Sequence, residues 1–351
     1  MLKFCSLSFV LIDAPKVNES FNFKASILPV DSIVGSSRTM AHTAHRRLLW
    51  TPQNPGRTET DRFIRFIAQR HGLLLKGYQE LHAYSVDKRT ASDFWVDLFL
   101  FMNLKSDVPP RIGYVANVSS LLFISLRVET PLSNNKQRDG SFFPPLEFFP
   151  EVRLNFAQNL LMGQEHDAIA IHTCNEGGIN LADVTWGRLY ALVEQAADAM
   201  VASGVHLGDR VAAVISNRLE TVVLCLAALS IGALWSTSSP DMGEQGILDR
   251  LLQIRPKLVF GESAVLYNGK LRGLLLKHTG CATRLTETPE YQNYVVIPTE
   301  GFPVTQKPEA KLTSWSGFLG RGTGRRLTFA QLPFSHPGFI VYSSGTVSGA
   351  V

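Results

Sequence analysis

The chain has 351 residues, 45% hydrophobic and 18% charged, with a formal net charge of +4, enough apolar material for a large core and more than one folding unit. The mild positive charge suits anionic ligands such as nucleotides, but the basic residues are dispersed and lack an aromatic-interleaved stripe, which argues against nucleic acid as a partner. Cys5, Cys174, Cys225 and Cys281 form no C-x-x-C pair, against a zinc site or disulfide framework and for a reducing cytoplasmic setting, and no apolar run is long enough to span a membrane.

Residues 1–39 read as a disordered leader. Lys3 and the apolar run 4–12 imitate a signal-peptide core, yet no small-residue cleavage site follows. After Met40 a recognisable domain begins within ten residues. Phe63, Ile64, Phe66 and Ile67, closed by Gly72, predict an amphipathic helix over 58–75. A second helix is expected over 92–102, with Ser92 or Asp93 as cap and Phe94, Trp95, Leu98, Phe99 and Phe101 as a crowded apolar face, read as core and not as a ligand box. The texture then changes. Pro109-Pro110, a β-rich tract at 121–126 and a polar tract at 133–140 fit neither flank, so 111–140 is read as an insertion or disordered excursion.

From 155 to 261 the pattern is regular. Leu189, Leu192, Val193, Ala196, Ala197, Met200 and Val201 follow helical spacing, with Gly204 where a C-terminal glycine belongs. A buried-strand run at 211–215, a helix at 219–231 stopped by Gly232, a strand at 233–237, a turn at 238–241, a helix carrying Ile247, Leu248, Leu251 and Leu252, and a strand at 257–260 after Pro256 follow in turn. This alternation means a parallel sheet covered on both faces, whose ligands collect at the carboxyl ends of the strands. Residues 300–330 read as a flexible basic loop pinned by Trp315 and Phe318. Gly320-Arg321-Gly322-Thr323-Gly324 within it is a weak dinucleotide signal, since no strand leads into it and no helix pattern follows.

Near the end, a β-like run at 338–341 delivers Tyr342-Ser343-Ser344-Gly345-Thr346. A hydroxyl- and glycine-rich turn straight after a strand exposes backbone N–H groups and side-chain donors, as a phosphate-binding loop requires. The approach Leu332-Pro333-Phe334-Ser335-His336-Pro337 is distinctive. With Arg47-Leu48-Leu49-Trp50-Thr51-Pro52, Ser92-Asp93-Phe94-Trp95, the segment 153–161 and Ser230-Ile231-Gly232-Ala233-Leu234-Trp235-Ser236-Thr237-Ser238-Ser239-Pro240-Asp241, it resembles the adenylate-forming acyl-CoA synthetases. Ser-Pro-Asp after Trp235 and the Pro-Phe-x-His-Pro approach favour the acetoacetate-activating branch. A relative using acetate or another short acid, or a non-catalytic fragment acting only in binding, are the alternatives.

The resemblance covers roughly 45–105 and 145–346 and implies an α/β fold. A helical cap at 40–110 would precede an incomplete doubly wound, mostly parallel sheet at 141–351, the first part of the AMP-binding large domain, cut at the phosphate loop. It implies acetoacetate, ATP with Mg, and CoA as substrates and cofactors, and ligation through an acyl-adenylate. Ser343, Ser344, Gly345 and Thr346 would wrap the β- and γ-phosphates, Gly345 allowing close backbone approach. Two departures stand out. Val351 occupies the position of an expected phosphate-facing lysine, and the catalytic and metal-binding residues used later in the family are not found, so residues 1–351 alone are expected to be inactive or nearly so. His42, His45, His166, His172, His206, His278 and His336 show no ligand spacing and are read as surface or satisfied core. Asp241, which could pair with Glu244, is read as a helix N-cap, and Cys225 as packing.

Overall fold

A computed structural model describes residues 53–54, 56–115, 146–304 and 310–342. The leader 1–39, the β-rich tract 121–126 and the residues from 343 onward lie outside the described residues. The chain divides into two compact units that meet in sequence between Phe101 and Met102.

The first unit is helical. In α1, Glu59–His71, Thr58 accepts the Asp61 N–H at 3.2 Å while the Asp61 carboxylate accepts the Thr58 N–H at 3.0 Å, so two orphan amides are satisfied reciprocally. Gly72 closes it at φ 67, a left-handed conformation that glycine adopts without a Cβ penalty. α2, Tyr78–Val86, was not expected; only Leu81 and Tyr84 are buried on it, too few to print a helical stripe. α3, Ala91–Phe101, begins one residue ahead of Ser92, so Ser92 and Asp93 lie inside its first turn instead of capping it. The Thr90 carbonyl opens the ladder by accepting the Phe94 N–H at 2.9 Å. The aromatics are core, as read: the Phe63 ring meets Phe94 edge-on with centroids 5.6 Å apart and Phe101 at 5.0 Å.

The second unit opens with the antiparallel pair β1, Tyr114–Val115, and β2, Glu147–Phe148. β3, Arg153–Leu154, α4, Phe156–Leu161, and the antiparallel pair β4, Ile169–Thr173, and β5, Ala182–Thr185, follow. Then come α5, Trp186–Ala202, β6, Arg210–Val214, α6, Leu219–Ile231, β7, Leu234–Ser238, α7, Glu244–Ile254, and β8, Leu258–Glu262. A hairpin of β9, Ala264–Tyr267, and β10, Lys270–Gly273, precedes α8, Leu275–Leu285, β11, Asn293–Ile297, β12, Leu312–Ser314, α9, Trp315–Leu319, and β13, Leu332–Pro333, which pairs with β3. α5 ends as its sequence predicts. Gly204, at φ 84, and Val205 donate back to the carbonyls of Val201 and Met200, the pairing of a Schellman turn.

Five strands form one parallel sheet in the order β12-β11-β8-β6-β7. Its double covering follows from the period of two. Val211, Ala213, Phe260 and Val295 pack with α5 and α6 on one face, while Ala212, Val214, Val259 and Val296 pack with α7 and α8 on the other. Burying each valine contributes about 1.5–3 kcal/mol, so the continuous apolar runs are what a sheet hidden on both sides needs. The run predicted at 338–341 appears as a parallel extension beside β7. Trp235 N–H donates to the Gly338 carbonyl, and Ile340 N–H to the Trp235 carbonyl, each at 2.9 Å. Phe318 is fully buried against Phe260, centroids 5.1 Å apart, so it pins the following segment as expected.

Candidate functional site

In a parallel sheet the crevice for ligands opens where neighbouring strands send their connections in opposite directions. Here that point lies between β6, whose crossover leads to β7, and β8, whose crossover leads to β11 on the far side. Glu262 sits at the carboxyl end of β8, 3% exposed, at this switch point. Its carboxylate accepts the Ser216 N–H at 2.7 Å, the Ser216 hydroxyl at 3.0 Å and Arg218 Nη1 at 3.4 Å. Arg218 forks onto Glu220 at 2.7 and 3.0 Å. Burial pushes the Glu262 carboxyl above its ordinary range, the Ser216 donors and Arg218 offsetting only part of that. Burial would also raise Glu220, but the Arg218 fork outweighs it and holds that carboxyl down. The sequence reading missed this cluster; its one signal is a polar Ser-Asn-Arg turn, 216–218, placed straight after an apolar strand.

The floor beneath Glu262 is polar but satisfied. His278, fully buried, places Nε2 2.9 Å from the Glu262 carbonyl and Nδ1 2.8 Å from the Tyr294 hydroxyl. A carbonyl only accepts, so Nε2 carries the proton and Nδ1 accepts from Tyr294. Burial pushes His278 down to about 4, leaving a neutral imidazole. Gly261 makes room for the ring, since a Cβ there would stand 2.8 Å from Nε2.

The second part of the carboxyl edge lies beside β7. Segment 338–342 runs along that strand in parallel, the Ser236 hydroxyl donating to the Ile340 carbonyl at 2.9 Å. Tyr342 then donates its hydroxyl to the Arg250 carbonyl on α7 at 3.1 Å. Ser343, Ser344, Gly345 and Thr346 follow directly and lie outside the described residues, as does Val351. The neighbouring turn after β7 is held by Lys277, whose Nζ donates to the carbonyls of Pro240 and Met242, both at 2.7 Å.

Several sequence-level expectations are corrected here. Asp241 is not the cap of α7. Gly243 takes that position, two residues later, while the Asp241 N–H turns back to the Ser239 hydroxyl at 3.4 Å. Glu244 does not pair with Asp241; its carboxylate fills the space over Gly280, where a Cβ would come within 2.1 Å. The glycine-rich stretch 320–324 does follow a strand and a short helix, β12 and α9, and it is tied down. The Asp198 carboxylate accepts the Thr323 hydroxyl at 3.1 Å, the Gly324 N–H at 2.8 Å and the Arg325 N–H at 3.2 Å. Those amides are consumed inside the fold, which removes the open nest a dinucleotide loop would need. Burial would raise Asp198, and the three donors outweigh it.

The histidines in the described residues behave as read. His166 and His172 face Asp167 and Asp183 at the surface, and His336 donates to the Gly232 carbonyl at 2.9 Å. Cys225 packs on α6, burial pushing its thiol up to about 12. Among the described residues no group of three or more His, Cys, Asp or Glu side chains is arranged to hold a metal ion, and no helix is long and apolar enough to cross a membrane.

The family described as AMP-binding enzyme matches residues 162–348. The chain is 38% identical over 307 residues to acetoacetyl-CoA synthetase of Rattus norvegicus, covering 86% of this chain and 41% of that protein. It is 33% identical over 304 residues to acetoacetyl-coenzyme A synthetase of Rhizobium meliloti, covering 86% and 42%. Malonamoyl-CoA synthetase of Penicillium aethiopicum is 30% identical over 316 residues, covering 85% and 39%. The solved structure of acetoacetyl-CoA synthetase from Streptomyces lividans aligns with a TM-score of 0.66 at 26% identity, over 84% of this chain and 40% of that one. The chain thus spans about two fifths of the length of the relatives it matches.

Proposed function

The chain belongs to the AMP-binding enzyme family, and from that premise we propose that it carries the phosphate-binding portion of an ATP-dependent acetoacetate–CoA ligase. In the first half-reaction an acetoacetate carboxylate oxygen bonds to the α-phosphorus of ATP, and the bond from that phosphorus to the β-phosphate oxygen breaks. Pyrophosphate leaves. In the second, the CoA sulfur bonds to the acyl carbon and AMP departs with the carboxylate oxygen. Holding the leaving pyrophosphate is electrostatic and positioning work, and Ser343, Ser344, Gly345 and Thr346 are the residues proposed for it. Magnesium, usual in this family, would arrive on the ATP phosphates; the described residues offer no cluster of their own for it.

One observation carries this reading. Segment 338–342 runs beside β7 in parallel and brings Tyr342 to the carboxyl edge of the sheet, where ligands of parallel sheets collect. Acetoacetate is favoured over other short acids by the greater identity to relatives named for it. The test is a thermal melt of the purified chain with ATP and with a non-hydrolysable acetoacetyl-adenylate analogue. A ligand at a hundred times its Kd adds about 2.7 kcal/mol, so a rise in Tm is expected, lost when Ser343 and Ser344 are both replaced by alanine. A flat response to both ligands overturns the proposal.

A further inference from the structure

The segment that leads into the proposed loop is held in two ways. Residues 338–340 are bound to β7 through the backbone of Trp235 and the hydroxyl of Ser236. Tyr342 is held by Arg250 of α7, which contributes twice. The guanidinium carbon lies 4.6 Å from the Tyr342 ring centroid, and the Arg250 carbonyl accepts the Tyr342 hydroxyl at 3.1 Å. Arg250 is aimed from its other side. Its Nη1 donates to Met242 Sδ at 2.9 Å, and Met242 is itself fixed through its carbonyl by Lys277 at 2.7 Å. Among the described residues these partners include no carboxylate, which leaves the guanidinium charge free to act on the ring face.

We propose that Arg250 is the positioning residue for Tyr342, the residue that immediately precedes the proposed phosphate loop: it fixes the ring and, through it, the backbone at the sheet edge. This rests on the reading of 343–346 as a phosphate site, but it makes a claim that can be tested without ATP. An ordinary salt bridge would leave the ring free to turn. A cation on the ring face and a hydroxyl bonded to the main chain of the same arginine fix both ends of the tyrosine, and so the backbone that carries it. The partly raised Tyr342 phenol, caused first by burial and eased by Arg250, accords with a hydroxyl that stays protonated as a donor.

The experiment is amide hydrogen exchange of residues 338–342 in the free protein, compared with β11 as an internal reference. Arg250→Met is expected to speed exchange of 338–342 by about five- to tenfold, with β11 unchanged, and Arg250→Lys to recover most of the protection. Wild-type exchange in Arg250→Met, or no recovery in Arg250→Lys, overturns the proposal. Should Arg250→Met raise β11 exchange as well, Tyr342→Leu reads the same pairing from the other partner: selective acceleration supports the proposal, and an unchanged profile overturns it. ATP added to the wild type separates the two readings. Selective acceleration in Arg250→Met without any protection by ATP keeps the positioning role and removes the phosphate site.

Discussion

Asp97 in the helical unit and Glu262 at the end of β8 are both almost sealed from solvent, at 1% and 3% exposure, and both have an arginine partner. Asp97 sits on α3 and gathers the other two helices. Arg70 Nε of α1 lies 2.8 Å from Oδ1, His71 Nε2 lies 2.8 Å from Oδ2, and the Tyr84 hydroxyl of α2 is 3.3 Å from Oδ2. The Arg70 contact is poorly aligned for a hydrogen bond, so Oδ1 is held chiefly by charge. Glu262 instead joins two neighbouring strand ends at the switch point of a parallel sheet, with two well-formed hydrogen bonds from Ser216. The same pairing of acid and arginine therefore clamps helices in one unit and ties two strand ends together at the switch point of the sheet in the other. Topology, and not the chemistry of the pair, separates the two roles.

The largest effect should come from breaking the clamp. Asp97→Ala strands Arg70 and the Tyr84 hydroxyl beside an apolar core, and removing one partner of a buried pair typically costs about 3–5 kcal/mol. Arg70 is half exposed, which places the expectation at the low end of that range, about 3 kcal/mol in urea unfolding. A loss below about 1 kcal/mol would mean that water already does the clamping.

Of similar size is the effect of His278, packed behind Glu262. His278 titrates near 4 in the fold against 6.5 when unfolded, because burial penalises its charged form. Between those values the unfolded chain binds the extra proton, so stability falls as pH drops from about 6.5 to about 4 and then levels off. The contribution is about 3 kcal/mol for this one group. His278→Gln should remove that share of the slope; parallel unfolding curves for the two proteins across this pH window would show that His278 is not the buried neutral group described.

Smallest is Glu262→Gln, expected to cost about 1–2 kcal/mol. The amide oxygen keeps an acceptor for the Ser216 N–H, while its NH2 replaces the oxygen that accepted from the Ser216 hydroxyl and Arg218, and a carboxyl already pushed up by burial surrenders little when neutralised. A loss as large as that of Asp97→Ala would erase the contrast between strand-end tie and helix clamp. It would also make Glu262 a structural ion first and a feature of the ligand edge second.

How much was legible beforehand differs between local and distant features. Thr58 and Gly72 bound α1, and Gly204 and Gly232 end α5 and α6, because caps depend on neighbours within a turn. The apolar run 338–341 predicts a strand, and the segment lies parallel beside β7. α2 escaped notice because two buried positions in nine residues print no stripe. Of the site itself, the sequence reading named only Ser343, Ser344, Gly345 and Thr346, which lie outside the described residues. It passed over Glu262, Arg218 and Arg250, each an unremarkable charged residue in its own window.

By itself, the sequence determined the alternation of strand and helix, the two-sided burial of the parallel strands and the family to which the chain belongs, since periodicity and motifs are written within short windows. Only the tertiary structure decided the order β12-β11-β8-β6-β7 and therefore where the crevice falls. Glu262 reaches Ser216 across 46 residues, Asp198 reaches Gly324 across 126, and Tyr342 reaches Arg250 across 92. The reason is physical: a strand's period says which side chains it buries but not which strand it lies beside, and that choice is made by packing across the whole sheet.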